Sequence, residues 1–274
     1  MANDLYPGLF YNNGKFSRVD DILAIEESLS IAINGEPFTV TMRTPGFEVE
    51  LITGLLYSEE VFRDTDEPPV IDITGTNAQG YVTSVNVSIP QGKILKDFAG
   101  SRNLISASSC GLCGRTSFED TISKNTITES GLLDPSLIAG MFETMSLHQK
   151  MFQQSGGTHA SAAFTLDGKL LDLREDIGRH NAVDKVIGSL IRKNLLDAAR
   201  ILTVSGRISY EIVNKALSAG IPFIASVSAP STLAVENASE AGMTLMAFCR
   251  NNKLTIYAHP ERIIQKHETA RVNR

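Results

Sequence analysis

Apolar residues recur at every second position in two stretches before Pro90, the spacing of a half-buried strand. Leu29, Ile31 and Ile33 alternate with polar or small residues, Asn34-Gly35 supplies a turn, and Phe38, Val40 and Met42 alternate again. This pattern predicts a hairpin from Ser28 to Met42, because Asn-Gly accepts the positive φ of a two-residue turn. Arg43-Thr44-Pro45-Gly46 breaks the run. A short helix is predicted from Glu48 to Tyr57, and Tyr81 to Ile89 returns to period two, with Tyr81, Val85, Val87 and Ile89 on one face. This part of the chain reads as α+β. Pro90 to Ser109 shows no clear period and is expected to be a flexible connection into the Gly-rich Cys110-Gly111-Leu112-Cys113-Gly114.

The rhythm then changes. Pro135 to Gln154 reads as a helix, and Ala160 to Phe164 and Leu170 to Leu173 read as strands around an Asp167-Gly168 turn. Val183, Val186, Ile187, Leu190 and Ile191 fall at i, i+3, i+4, i+7 and i+8, the apolar stripe of an amphipathic helix. Strands at Arg200 to Val204 and Phe223 to Val227 follow, with helices at Ser209 to Ala219 and Thr232 to Ala241 stopped by Gly220 and Gly242. Two further strands are predicted at Thr244 to Phe248 and Leu254 to Tyr257. Strands alternating with helices predict a mainly parallel sheet covered on both faces. The chain is thus expected to be an α/β protein with a three-layer core in its C-terminal half. The expected division is a small α+β domain over 1–105, a Cys-x-x-Cys loop and connection over 106–134, and an α/β domain over 135–274.

Composition narrows the partners. At 274 residues, 42% hydrophobic and 20% charged, the chain has the makeup of an ordinary globular protein. A formal net charge of −6 and a pI near 5.4 speak against nucleic acid as a partner, so an anionic ligand must be held by local groups. No apolar run approaches the ~20 residues of a membrane span, and no basic segment followed by an apolar stretch opens the sequence. The expected location is therefore the reducing cytoplasm, where a close cysteine pair reads as catalytic or metal-binding rather than as a disulfide.

Three cysteines are present: Cys110, Cys113 and Cys249. Thiol pKa falls where backbone N–H groups and cations surround the sulfur. Gly111 and Gly114 let the main chain fold closely around the first two, and Arg115 adds a charge. Such a site suits attack on a sulfane sulfur and its storage as a persulfide. A zinc site and a structural turn remain open readings, although zinc normally needs four ligands and only one pair is present. In a zinc deaminase His-x-Glu precedes Pro-Cys-x-x-Cys. Here Ser109 stands in place of the proline, and His259-Pro260-Glu261 follows the cysteines. Cys249, within an apolar strand, reads as a buried hydrophobe.

Polar groups are dense from Arg174 to Lys185, including Arg179 and His180, and run directly into the strongest predicted helix. Free N–H groups at a helix start favour an anion, and a solvated capped turn is the competing reading. Ser205-Gly206-Arg207-Ile208-Ser209 and Ser226 to Thr232, which includes Ser228, each follow an apolar strand and precede a helix. Loops of that kind line the ligand crevice of open α/β sheets, although their Ser and Gly also serve as caps. Ser155-Gly156-Gly157-Thr158-His159 adds a histidine that suits proton transfer or a satisfied core position.

In this order, Arg43 to Gly46, Ser109 to Gly114, Gly156 to His159, Glu175 to Lys185, Ser205 to Arg207 and Ser226 to Pro230 span nearly the whole chain. The set resembles the formate dehydrogenase accessory sulfurtransferase family, FdhD. The resemblance implies a cytidine-deaminase-like fold, a homodimer, and a sulfur carrier with no permanently bound cofactor or metal. It implies that sulfur comes from an IscS-type cysteine desulfurase and passes to molybdenum bis(molybdopterin guanine dinucleotide) before insertion into formate dehydrogenase. The persulfide-bearing cysteine maps to Cys110, with Cys113 beside it. A cofactor-binding stretch maps to Phe248, Cys249, Arg250, Asn251, Asn252 and Lys253, where Ala247-Phe248 replaces the family's frequent Gly-Phe. Arg179, Lys185, Arg207 and Arg250 are expected to offset cofactor charge, with His180, Ser205, Gly206 and Ser228 also at the site. The rival classes are a non-catalytic cofactor-binding chaperone and a zinc-dependent hydrolase.

Overall fold

The computed structural model describes residues 3–95, 105–106, 126–128 and 130–265. Its first element is one that the sequence reading missed: β1 (Asn3–Asn12) and β2 (Lys15–Ala24) pair antiparallel as a separate two-stranded sheet. Asn13 and Gly14 turn it, at φ 47° and 83°. The predicted hairpin follows as β3 (Glu27–Ile33) and β4 (Glu36–Arg43), with Asn34 and Gly35 both at positive φ. After α1 (Glu48–Ser58) come β5 (Val70–Thr76), β6 (Val82–Ser88) and β7 (Ile105–Ser106), giving a five-stranded sheet in the order β5-β6-β3-β4-β7. The predicted apolar faces meet there: Leu29, Ile31, Ile33, Val85 and Val87 pack beneath Leu51, Ile52 and Leu56 of α1. Each such side chain contributes about 1.5–3 kcal/mol by leaving water.

Of the helix predicted from Pro135 to Gln154, the structure makes two, α2 (Leu137–His148) and α3 (Lys150–Ser155), parted at Gln149. The cause lies far along the chain. The Glu175 carboxylate accepts hydrogen bonds from the backbone N–H groups of Met151 and Phe152 at 2.9 and 2.8 Å, capping the second helix from outside.

β8 (His159–Phe164), β9 (Leu170–Asp176), α4 (Arg179–Arg192), β10 (Ile201–Val204), α5 (Tyr210–Ser218), β11 (Phe223–Ser226), α6 (Thr232–Glu240), β12 (Thr244–Arg250) and β13 (Lys253–Ala258) complete the order. Their six-stranded sheet runs β13-β12-β11-β10-β8-β9. In this sheet only the β10–β11 and β11–β12 pairings are parallel, while β8, β9 and β13 pair antiparallel with their neighbours, which corrects the expectation of a mainly parallel sheet. The reason is loop length. Asp167-Gly168 and Asn251-Asn252 are too short to carry a crossover, so the strands they join must run antiparallel. Helices cover both faces as expected. Val183, Val186 and Ile187 of α4, with residues of α5 and α6, pack on Leu202, Ile224 and Leu245. Ile138, Met141 and Met145 of α2 pack on Phe164, Phe223 and Met246.

The two large sheets are held together by close helix contact and buried charge. A Cβ on Gly54 of α1 would lie 1.9 Å from the Asp184 carbonyl oxygen, and one on Gly188 of α4 would lie 1.8 Å from that of Glu50. Only glycines permit this approach. Below it, Lys215 Nζ stands 2.9 Å from both Asp184 carboxylate oxygens and 2.9 Å from Ser58 Oγ. Burial disfavours that ammonium, but Asp184 and Glu59 outweigh the burial and raise its pKa.

Candidate functional site

At one end of the six-stranded sheet lie the carboxyl ends of β9, β10, β11 and β12 and the start of the antiparallel β8. Five connections gather there: Gly157–Thr158 into β8, Ile177–Gly178 into α4, Ser205–Ser209 into α5, Val227–Ser231 into α6, and the turn from β12 into β13. Loops at strand carboxyl ends form the ligand crevice of open α/β sheets. Motifs spread over nearly a hundred residues of sequence thereby reach one rim.

Gly206 is a closely packed point of that rim. A Cβ there would meet His159 Nδ1 at 3.2 Å and Arg179 Cβ at 3.7 Å, so its bare backbone lets the imidazole and the arginine stem lie over it. Burial lowers the pKa of His159, and Arg179, His180 and Arg207 lower it further against the opposing pull of Asp176. The result is an uncharged imidazole at neutral pH among nearby cationic groups, Arg207 being exposed. On a protein of net charge −6 this is a local positive field, suited to an anionic ligand.

Several hydroxyls of these loops are spent on holding the rim. Ser205 Oγ accepts from Ala160 N at 2.9 Å, and Ser226 Oγ donates to the Gly206 carbonyl at 2.6 Å while accepting from Ser228 N at 2.8 Å. Ser231 caps α6 through Ala234 N. Ile208 N bonds Ala229 O and Ser231 N bonds Ile208 O, which ties the β10 and β11 loops together. Behind them His180 Nε2 sits 3.4 Å from Ser209 Oγ and 3.8 Å from Glu211 Oε2. The sequence reading missed Glu211. Its signal was an acidic residue in the first turn of α5, two positions after Ser209.

The acidic members of the Arg174-to-Lys185 segment turn inward. Asp176 accepts from Thr44 N and Gly178 N and pairs with Lys185 at 2.6 Å. Lys185 Nζ also donates to the Thr44 carbonyl, and its side chain is only 1% exposed. Lys185 is therefore a buried tie between Arg43-Thr44 and α4, which corrects its expected part in offsetting ligand charge. Asn181 adds a bond to the Met42 carbonyl.

Phe248 to Lys253 run from the end of β12 through the Asn251-Asn252 turn into β13, with Phe248, Asn251 and Asn252 at positive φ. The Phe248 ring is exposed, 6.4 Å from that of Tyr257. Cys249 is buried beside α2, and loss of hydration pushes its thiol up to about 11. Arg250 Nε donates to the Val227 carbonyl and Phe248 N to that of Ser228, so the turn abuts the crevice. Cys249, Arg250, Asn252 and Lys253 also wall a cavity of about 890 Å³ whose other side is Phe142, Glu143 and Ser146 of α2. The structure thus brings His159, Arg179, His180, Ser205, Gly206, Arg207 and Ser228 together, and sets Phe248 to Lys253 next to them. Cys110 and Cys113 lie outside the described residues. His259 has both ring nitrogens engaged, by Glu261 Oε1 and the Ser239 carbonyl, and acts as a structural tie.

Residues 24–264 match the FdhD/NarQ family. The sulfur carrier protein FdhD of Streptomyces avermitilis is 42% identical over 259 residues, covering 92% of each chain. That of Sulfolobus acidocaldarius is 42% identical over 245 residues, covering 89% of this chain and 92% of its own. A crystal structure from Desulfotalea psychrophila, described as a formate dehydrogenase accessory protein, superposes with a TM-score of 0.75 at 22% identity, over 96% of this chain and 100% of its own, a likeness of fold.

Proposed function

The chain belongs to the FdhD/NarQ family, and from that premise we propose that it is a sulfurtransferase, a cytoplasmic sulfur carrier that serves formate dehydrogenase maturation. The observation that carries the reading is the crevice. Its rim gathers Arg179, His180 and Arg207 around an uncharged His159 whose ring packs over Gly206. A guanine dinucleotide's phosphates are matched by charge-assisted bonds from such groups.

Sulfur arrives as a persulfide on an IscS-type cysteine desulfurase. The Cys110 thiolate attacks the outer sulfur, the S–S bond to the desulfurase breaks, and the desulfurase cysteine leaves as a thiolate, so the exchange is redox-neutral. The S–S bond of the new Cys110 persulfide then breaks and Cys110 leaves as a thiolate. The terminal sulfur passes to the molybdenum bis(guanine dinucleotide) cofactor, the cargo held at the crevice and by Phe248 to Lys253, with the cargo's molybdenum supplying the two electrons that take sulfane sulfur to sulfide. His159 stands where an uncharged imidazole accepts a proton. Cys113 shares the cysteine segment with Cys110, and the carrier acts as a homodimer.

The test is maturation of formate dehydrogenase in cells lacking the native carrier. Parent chain restores activity and Cys110→Ala does not. Restored activity with Cys110→Ala overturns the carrier mechanism and leaves a cofactor-docking chaperone.

A further inference from the structure

A second cavity, of about 1,060 Å³, runs along the outer edge of β9, where the six-stranded sheet ends, and faces the β4–α1 loop, the β5–β6 turn and the junction of α2 with α3. Its size is that of a small-molecule site, typically ~300–1,000 Å³. All three carboxylates on its walls are already engaged. Asp172 holds Arg174 at 2.7 Å and Lys193 at 3.2 Å, and Glu48 holds Arg43 at 3.0 Å. Glu175 accepts from the Met151 and Phe152 N–H groups and from Thr158 Oγ1. The wall groups left for a ligand are aromatic or basic: Phe47, Tyr81, His148 and Lys150. His148 Nδ1 donates to the Thr144 carbonyl at 2.8 Å, which leaves Nε2 for a ligand, and Lys150 is exposed.

Phe47 is the residue of this wall that the fold does not explain. It caps α1 at φ 61° and ψ 36°, in the left-handed region, without a side-chain cap bond, and it is 51% exposed. Asparagine suits both the positive φ and the cap better, so the phenylalanine is held at a conformational cost. Its ring lies over Arg174, whose guanidinium carbon is 4.3 Å from the centroid. A ring with a cation on one face offers the other to a flat partner. Behind the same wall Arg43 is fully buried. Its Nη2 bonds the Val82 carbonyl and Glu48, both wall residues, while Nε and Nη1 have no acceptor among the described residues. Buried donors of that kind call for an acceptor. We propose that this cavity is a second ligand site, for a flat nitrogen heteroaromatic that carries a carboxylate or phosphate. The ring stacks on Phe47, and Lys150 and His148 meet the anion. A pterin acid and a purine nucleotide share this chemistry. The site lies along a strand edge rather than at the strand ends that form the crevice, and it does not rest on the carrier reading.

Two probes test the site on the full chain: pterin-6-carboxylate, followed by quenching of its own fluorescence, and AMP, followed by calorimetry. At least one is expected to bind saturably. Phe47→Asn should weaken that binding ~10-fold or more, as for a lost stacking partner, and Lys150→Gln should weaken it too. Phe47→Tyr should retain it. Because asparagine suits the position, Phe47→Asn should melt no lower than the parent, which separates lost binding from lost fold. Arg207→Ala, in the crevice, should leave probe binding unchanged. Binding of the pterin alone identifies a pterin acid, and binding of AMP alone identifies a nucleotide; either sustains the site. Failure of both probes to bind at millimolar concentration overturns the proposal, as does binding that survives Phe47→Asn or that falls with Arg207→Ala instead.

Discussion

His180 Nε2 and Glu211 Oε2 lie 3.8 Å apart, with Ser209 Oγ 3.4 Å from the same nitrogen. His180 holds the Glu211 carboxyl down at about 2, helped by Ser209 and by the residue's own backbone N–H. A carboxyl lowered by folding contributes stability that is present above its ordinary value and lost as pH falls through the lowered one. Glu211→Gln should therefore lower the Tm by about 2–4 °C at neutral pH. The gap between parent and variant should close between pH 4.5 and about 2. A thermal-melt series over that range checks it, and a gap that stays constant with pH contradicts the pairing.

His159 titrates in the opposite sense from a paired histidine. Burial, Arg179, His180 and Arg207 lower its pKa from 6.5, so the folded state prefers the uncharged ring. That preference adds stability above the ordinary value, and the contribution is lost as pH falls below 6.5 toward the lowered value. His159→Gln should flatten the fall in Tm between neutral and mildly acidic pH. In NMR titration of the parent, the imidazole signals of His159 should move only below the ordinary histidine range.

The α1–α4 crossing leaves no room for a methyl group, because the obstacles at Gly54 and Gly188 are backbone carbonyls rather than movable side chains. Gly188→Ala should cost about 3 kcal/mol or more in urea unfolding despite alanine's better helix propensity. An alanine at the exposed Gly140 of α2, where a Cβ would meet nothing within 4 Å, should be neutral or stabilising. Equal effects at the two positions would contradict the reading of the crossing.

Much of the fold was legible where one physical signal was unopposed. The β3–β4 hairpin combined period two with Asn34-Gly35, and α4 carried an unbroken apolar stripe. The break at Gln149 was not legible, because local residues continue the helix and the competing cap, Glu175, is distant in sequence. Sheet direction failed for a related reason, since strand patterns report burial rather than neighbours. The β1–β2 hairpin escaped notice because each of its faces mixes apolar with charged residues, which blurs the alternation, although Asn13-Gly14 marked its turn. At the site, the residue types pointed to loops that the fold brings to one rim. Their chemistry was only half visible: Ser205 and Ser226 hold backbone, Lys185 is buried in a tie, and Gly206 owes its place to His159.

The central claim is sulfur transfer onto Cys110, and intact mass followed by peptide mapping without reductant tests it most directly. After incubation with a cysteine desulfurase and cysteine, the parent chain should gain the mass of one sulfur on the peptide containing Cys110, and Cys110→Ala should gain none. An unmodified parent, or a gain that persists in Cys110→Ala, would contradict the account.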